Sequence, residues 1–208
     1  MRSAAALLLV AAPLILAACA GTGYHYVKNT NDKTYFKVPD DWKLYDQNSV
    51  LDALKGSLSK DEIAQRRDTM WTTVFDASPA PTLNHLGSNR PGYPLGQAVV
   101  RPLSPDAADG ASLKSLRNIF FSIDDALDAG NAHVSAYDLV ELPGGFHGSH
   151  LVARVDSKTG SITFNQIALF DQATTKVYAI SIYCSTDCYD KYESKIDKVI
   201  SSWTVKES

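Results

Sequence analysis

The sequence predicts an α+β domain, an antiparallel sheet covered by helices. Three observations predict it. Four segments rich in β-branched and aromatic residues follow one another at 134–142, 149–156, 161–170 and 176–184. Their connectors are short and carry turn residues, as in Ser157-Lys158-Thr159-Gly160. Short connectors force antiparallel neighbours, because a parallel crossover needs about a dozen residues or more. Apolar stripes at helical spacing flank this meander. Leu113, Leu116, Phe120, Ile123 and Leu127 precede it, and Tyr189, Tyr192, Ile196, Val199, Ile200 and Trp203 follow it. Such stripes must dock on a sheet face, since each large apolar side chain left in water costs about 2 kcal/mol.

The remaining elements follow in chain order. Tyr35-Phe36-Lys37-Val38 alternates as a short strand, ended by Pro39 and Asp40-Asp41, with Trp42 next. Residues 50–57 suit a short helix. Ser59-Lys60-Asp61-Glu62 is a capping box, so a helix to about residue 68 is expected. Residues 71–77 and 98–103 are strand-like. Between them, 78–97 holds Pro79, Pro81, Pro91, Pro94, Gly87, Gly92 and Gly96. Proline removes donors and fixes φ, which predicts a long loop there. The stripe over 112–129 predicts one amphipathic helix with Gly130 as its left-handed cap. Asp124, Asp125 and Asp128 fall on its solvated face, and Arg117 and Arg154 read as partners in structural ion pairs. A last helix spans 186–202. The chain shows no internal repeat.

The 208 residues suit one domain, and 45% hydrophobic with 21% charged residues excludes a disordered chain. A net charge of −3, with no basic cluster longer than Arg66-Arg67, excludes a nucleic-acid partner. The N-terminus reads as an address. Arg2 precedes the uncharged stretch 4–18, and polar residues follow from Thr22. That stretch is shorter than the roughly 20 residues needed to cross a bilayer as a helix, so it reads as a secretory leader. Leu16-Ala17-Ala18-Cys19 resembles the lipobox of bacterial lipoproteins. The resemblance implies cleavage before Cys19, lipidation of its sulfur and attachment to the extracytoplasmic face of the cell membrane. The expected organisation is a leader at 1–18, the lipidated cysteine with a flexible Gly/Asn/Thr-rich tether at 19–33, and the folded domain at 34–208.

Two patches resemble one family. They are Tyr35-Phe36-Lys37-Val38-Pro39-Asp40-Asp41-Trp42, and Val177-Tyr178-Ala179-Ile180-Ser181-Ile182 with Ile200-Ser201-Ser202-Trp203. Both are similar to the PsbP-like fold of the oxygen-evolving-complex subunit, a Ran-binding nuclear import factor and actinobacterial lipoproteins of the LpqN type. The lipoprotein branch shares the lipobox. The resemblance implies an α/β/α sandwich with accessory or binding roles and no shared catalytic motif.

Cys184 and Cys188 are an even pair in an oxidising compartment and read as a disulfide, with free thiols or a metal or redox pair as alternatives. His147 and His150 stand three apart, which on a strand places them on opposite faces and argues against a shared metal. No G-x-S-x-G elbow surrounds Ser149, and no H-E-x-x-H or phosphate loop occurs. The expected function is therefore a non-catalytic accessory or binding domain without cofactor or metal. Its partners would be the membrane, through the lipid, and an envelope protein or lipid ligand. The alternatives are an envelope hydrolase or a small-ligand carrier. Loop 78–97 and the 144–150 turn together are the expected place of a partner site, with His85, Arg90, Tyr93, His147 and His150 as its residues; the alternative is that the loop is a family-specific insertion with no partner.

Cys19→Ala is expected to move the protein from the membrane fraction to the soluble envelope fraction. Retention of the variant in a salt-washed membrane pellet would refute lipidation.

Overall fold

The computed structural model describes residues 23–206; the segment 1–18 read as a leader, and Cys19, lie outside the described residues. Seven strands form the main sheet: β3 (Lys43–Tyr45), β4 (Trp71–Asp76), β5 (Leu95–Pro102), β6 (Ala132–Leu142), β7 (Phe146–Ser157), β8 (Gly160–Phe170) and β9 (Lys176–Ser185). Their order is β3-β4-β5-β9-β8-β7-β6, every pair antiparallel. A smaller sheet joins β1 (Tyr24–Asn29), β2 (Thr34–Pro39) and β10 (Thr204–Val205). The helices are α1 (Gln47–Ala53), α2 (Lys60–Thr69), α3 (Pro105–Asp109), α4 (Leu113–Arg117), α5 (Ile123–Asp128) and α6 (Thr186–Ser201). The predicted α+β class, the four-strand meander and the final helix are all present.

The core has two layers because β8 and β9 are buried on both faces. Tyr178, Ile180, Ile182 and Cys184 point to one side of β9, into a cluster with Ile196, Val199 and Ile200 of α6 and with Val27, Phe36, Val38 and Trp203. Val177 and Ala179 point to the other side and pack with Leu116, Val99 and Phe170. Ile123 of α5 extends that second layer over Leu151, Ala153 and Phe164. The Cys184–Cys188 disulfide closes the corner from β9 into α6, with the two Cα atoms 5.9 Å apart. In the chain-entropy account so small a loop stabilises by about 2 kcal/mol. The capping box is also present: Ser59 Oγ accepts from the Glu62 amide, and the Glu62 carboxylate accepts from the Ser59 amide at 2.8 Å.

Two expectations are corrected. Most of the segment read as a flexible tether belongs to the fold. Residues 24–29 pair along their whole length with 39–34, and Val27 is buried. The polar composition behind the tether reading marks a tight turn. Asn29 donates to the Asp32 carboxylate at 2.9 Å, and Lys33 takes a left-handed φ of 49°.

The single helix expected over 112–129 is two short helices with a turn at 118–122. A continuous helix would turn part of the run Ile119-Phe120-Phe121 away from the sheet. Broken, the chain packs Ile119 and Phe120 on the Val99 cluster and lays Phe121 on Phe164, ring centroids 4.8 Å apart. Asn118 holds the break. Its Oδ1 accepts the Asp124 amide at 3.1 Å, and its Nδ2 donates to the Asp124 carboxylate at 2.9 Å. Asp124 is therefore buried rather than solvated, and it is bonded to Arg117. The expected ion pairs of Arg117 and Arg154 are both present, the second with Asp156 at 2.9 Å.

The Arg117 hydrogen bond is the main cause holding the Asp124 carboxyl below its ordinary range, opposed by burial and aided by Asn118. A folded-state value below the unfolded one adds stability above the unfolded carboxylate range, and this is lost as pH falls through the folded value. Asp124→Asn should cost about 2 kcal/mol at neutral pH. Thermal melts at pH 7 and pH 3 check it: the deficit against wild type should shrink at the lower pH, and an equal deficit at both would exclude the ionised pair as its source.

Candidate functional site

A groove of about 630 Å3 lies where α6 crosses β6, β7 and β8. Its apolar floor is Val140, Val152, Ile167 and Ile200, and its polar groups are Asp138, His150, Asn165, Tyr189, Glu193 and Asp197. Strand alternation places them. His150 and Val152 share one face of β7 with Asn165 and Ile167 of β8, while Leu151 and Ala153 fill the opposite layer. Tyr189, Glu193, Asp197 and Ile200 recur at intervals of three and four along α6 and so face the sheet together.

Four of the polar groups form a bonded chain. Asn165 Nδ2 donates to the Tyr189 hydroxyl at 3.1 Å and to Asp197 Oδ1 at 3.2 Å. A carboxylate can only accept, so the amide orientation follows, and Asn165 Oδ1 faces His150 Nε2 at 2.8 Å. His150 therefore donates through Nε2. Its Nδ1 stands 3.6 Å from the Asp138 carboxylate, beyond hydrogen-bond length. Burial pushes the Tyr189 phenol up to about 12, so it stays protonated across the physiological range. The groove is lined by three carboxylates and by no Lys or Arg.

The expected joint site is not assembled. His147 opens β7 beside the 143–145 turn, where its ring packs on Phe170 and Nδ1 meets the Gly145 carbonyl at 3.0 Å. The 78–94 segment sits at the far end of the same strand, where Arg90 donates to the Thr159 carbonyl at 2.9 Å in the β7–β8 turn. The length of β7 separates the two. His147 and His150 lie on opposite faces, as their spacing predicted. Among the expected residues only His150 lines the groove. Ser149 points away from His150 into the opposite layer and is 1% exposed, so the hydrolase arrangement of serine, histidine and carboxylate is not formed there.

The Pro/Gly-rich segment is shorter and more ordered than a twenty-residue loop. Leu95–Gln97 belong to β5, and Leu83–Gly87 form a 3-10 turn. Buried Asp76 organises it, accepting from the Ser78 amide at 2.8 Å and the Thr82 amide at 3.0 Å and meeting His85 Nδ1 at 2.7 Å. Tyr93 packs edge-on against Tyr192, ring centroids 6.5 Å apart. His85, Arg90 and Tyr93 thus tie the segment to the fold. Sequence reasoning missed Asp138, Asn165, Tyr189, Glu193 and Asp197. The signal for the helix members was their i, i+4 spacing on α6, but that spacing also describes an ordinary solvated margin.

No family model and no curated protein matches the chain. Among solved structures it is similar to LpqN of Mycobacterium tuberculosis, described as involved in cell envelope biogenesis. The two share 16% identity over 88% of this chain and 91% of that one, with a TM-score of 0.50. It is also similar to cyanobacterial PsbP (CyanoP) from Synechocystis sp. PCC 6803, with 17% identity, 92% and 99% coverage and a TM-score of 0.49. The Saccharomyces cerevisiae Ran-binding protein Mog1p follows with 12% identity, 88% and 95% coverage and a TM-score of 0.43. At such identities the likeness is one of fold: the chain shares with LpqN the antiparallel sheet held between helices that its two sequence patches implied.

Proposed function

We propose that the chain is a lipid-anchored protein of the cell envelope whose domain holds a protein partner and does not transform it. The leader-like N-terminus and Cys19 support the anchor, and among the described residues no helix is long and apolar enough to cross a membrane. LpqN, which shares the fold, is described as involved in cell envelope biogenesis, and this supports the same compartment.

The observation that carries the binding reading is the continuity of the groove with the sheet edge. β6 is eleven residues long and ends the strand order, so one of its backbone edges is left without a neighbouring strand among the described residues. Its Ala136, Asp138 and Val140 form one wall of the groove. Val134, Tyr137 and Leu139 stand exposed on its other side, Leu139 at 69%. Soluble domains usually blunt such an edge, and an added strand is a standard way to recognise an extended segment. Carboxylates of Asp138, Glu193 and Asp197 beside the edge favour a segment carrying Lys or Arg. The polar floor is bonded to itself, which suits a preformed surface that changes little on binding.

The test is crosslinking in cells with a photoreactive residue at position 139 and, as control, at exposed Lys55. A discrete crosslinked protein is expected from position 139 alone, and it should vanish with Asp138→Lys/Glu193→Lys, two exposed positions whose change leaves the melting temperature within a few degrees. Equal crosslinks from both positions, or a band indifferent to the charge reversal, would remove the partner-binding reading.

A further inference from the structure

On the sheet face opposite α6, a second cavity runs beneath the 78–94 segment. Its inner chamber, about 130 Å3, is lined by Leu86, Gln97, Phe120, Phe121, Ser181 and Tyr183. Leu86, Phe121 and Tyr183 also line an outer chamber of about 380 Å3, which reaches the surface between Gly87–Asn89 and the β7–β8 hairpin. The side chains lining both chambers are uncharged.

The floor carries polar Gln97 and Ser181; Ser181 is unsatisfied, and so is Gln166 beside it in the same layer. Gln97 stands opposite Ser181 across β5 and β9, and Ser181 stands opposite Gln166 across β9 and β8. Ser181 is 2% exposed and its hydroxyl has no partner. Gln166 spends its Nε2 on the Leu116 carbonyl at 3.0 Å, and its Oε1 has no partner. Each such buried group costs about 1–3 kcal/mol when left alone. Ala168 and Ala179, next along the same layer, are apolar and buried.

Water is a poor filling for the whole chamber. The chamber opens into the outer one, and its volume corresponds to about four waters, of which those against Leu86, Phe120 and Phe121 would lack the roughly 2–4 polar partners that an ordered water needs. A cavity of about this volume is the size that accommodates a single benzene ring. The walls suit one. Phe121 is stacked on Phe164 and meets Tyr183 edge-on at 5.1 Å, so its ring is held from two sides. The loop wall is held as well, because the Tyr183 hydroxyl donates to the Leu86 carbonyl at 3.2 Å and the Ser185 amide to the Pro91 carbonyl at 2.9 Å.

We propose that this cavity is a binding site for an uncharged, ring-bearing small molecule that enters with a hydroxyl or N–H group foremost. The ring sits between Leu86, Phe120, Phe121 and Tyr183. The leading group reaches Ser181, which can both donate and accept. The uncharged lining of the inner chamber excludes carboxylates, phosphates and ammonium ions there, because their desolvation would go uncompensated. The site is separate from the groove and lies on the other face of the sheet.

The test uses the full-length chain carrying Cys19→Ala and follows two probes by fluorine NMR, 4-fluorophenol and fluorobenzene. The phenol should bind saturably in the millimolar range or tighter, and about tenfold more tightly than fluorobenzene, because one hydrogen bond distinguishes them. Ser181→Ala should erase that preference while leaving fluorobenzene binding in place. Ser181→Leu, which fills the chamber, should abolish both; if that variant does not fold, Gln97→Leu at the neighbouring polar wall serves as the filling variant. His150→Ala, in the groove, should change neither. The absence of saturable binding, equal affinity for the two probes, or binding that survives the filling variant would overturn the proposal and leave a chamber occupied by ordered water.

Discussion

Successive side chains of β9 enter two different apolar layers, and the rest of the domain is arranged to keep both dry. Residues 177–182 are all buried, with Tyr178, Ile180 and Ile182 under α6 and Val177 and Ala179 under α4. Each large side chain so placed contributes roughly 2 kcal/mol relative to exposure, so neither face can be left open. The period of two leaves no freedom of register, because a slip of one residue would exchange the layers. From this follow the helix that continues directly from β9, the disulfide at that corner, and the second pair of helices on the far side. The small sheet completes the first layer by laying Phe36, Val38 and Val205 beside Trp203.

Both layers contain polar side chains, and they are treated differently. On the α6 side Asn165 joins His150, Tyr189 and Asp197 in a connected set, with every amide group of Asn165 used. A buried polar network of this kind is stable only when its members satisfy one another, and here it lies at the base of an accessible groove. On the opposite side Gln97, Ser181 and Gln166 form a row across three strands, and Ser181 and Gln166 leave bonding capacity unused near a cavity. A polar floor that is already satisfied favours docking onto its surroundings, whereas an unsatisfied one favours a molecule that brings a complementary group. The two faces therefore suit two kinds of occupant, an extended segment along β6 and a small neutral molecule beneath the 78–94 segment.

Whether an element rests on local contacts or on tertiary packing explains which elements could be read in advance. The α2 helix announces itself through Ser59 and Glu62, which interact within one turn and need no tertiary partner. The meander β6–β9 announces itself through alternation and short turns, again local properties. The α4–α5 region does not. Its apolar residues keep helical spacing, but packing three adjacent side chains, Ile119, Phe120 and Phe121, against a sheet is incompatible with one continuous helix. Asn118 and Asp124, both ordinary residues for a solvated helix face, become the bonded hinge of the break. β1 was hidden for a related reason. Only Val27 and Asn29 of its six residues are buried, so the strand carries little hydrophobic signal and exists through its backbone bonds to β2.

By itself the sequence determined the fold class, the antiparallel meander from β6 to β9, the Ser59–Glu62 capping box, the favoured reading of Cys184 with Cys188 as a disulfide and the opposite orientation of His147 and His150. These depend on periods of two and 3.6 and on contacts between residues close along the chain. Tertiary structure alone decided that the 78–94 segment and the 144–150 turn stand at opposite ends of β7, that His150 joins residues from β8 and α6, and that Ser181 and Gln166 come to lie side by side in a buried layer. Those arrangements rest on strand order and sheet registry, which bring together residues that no local spacing connects.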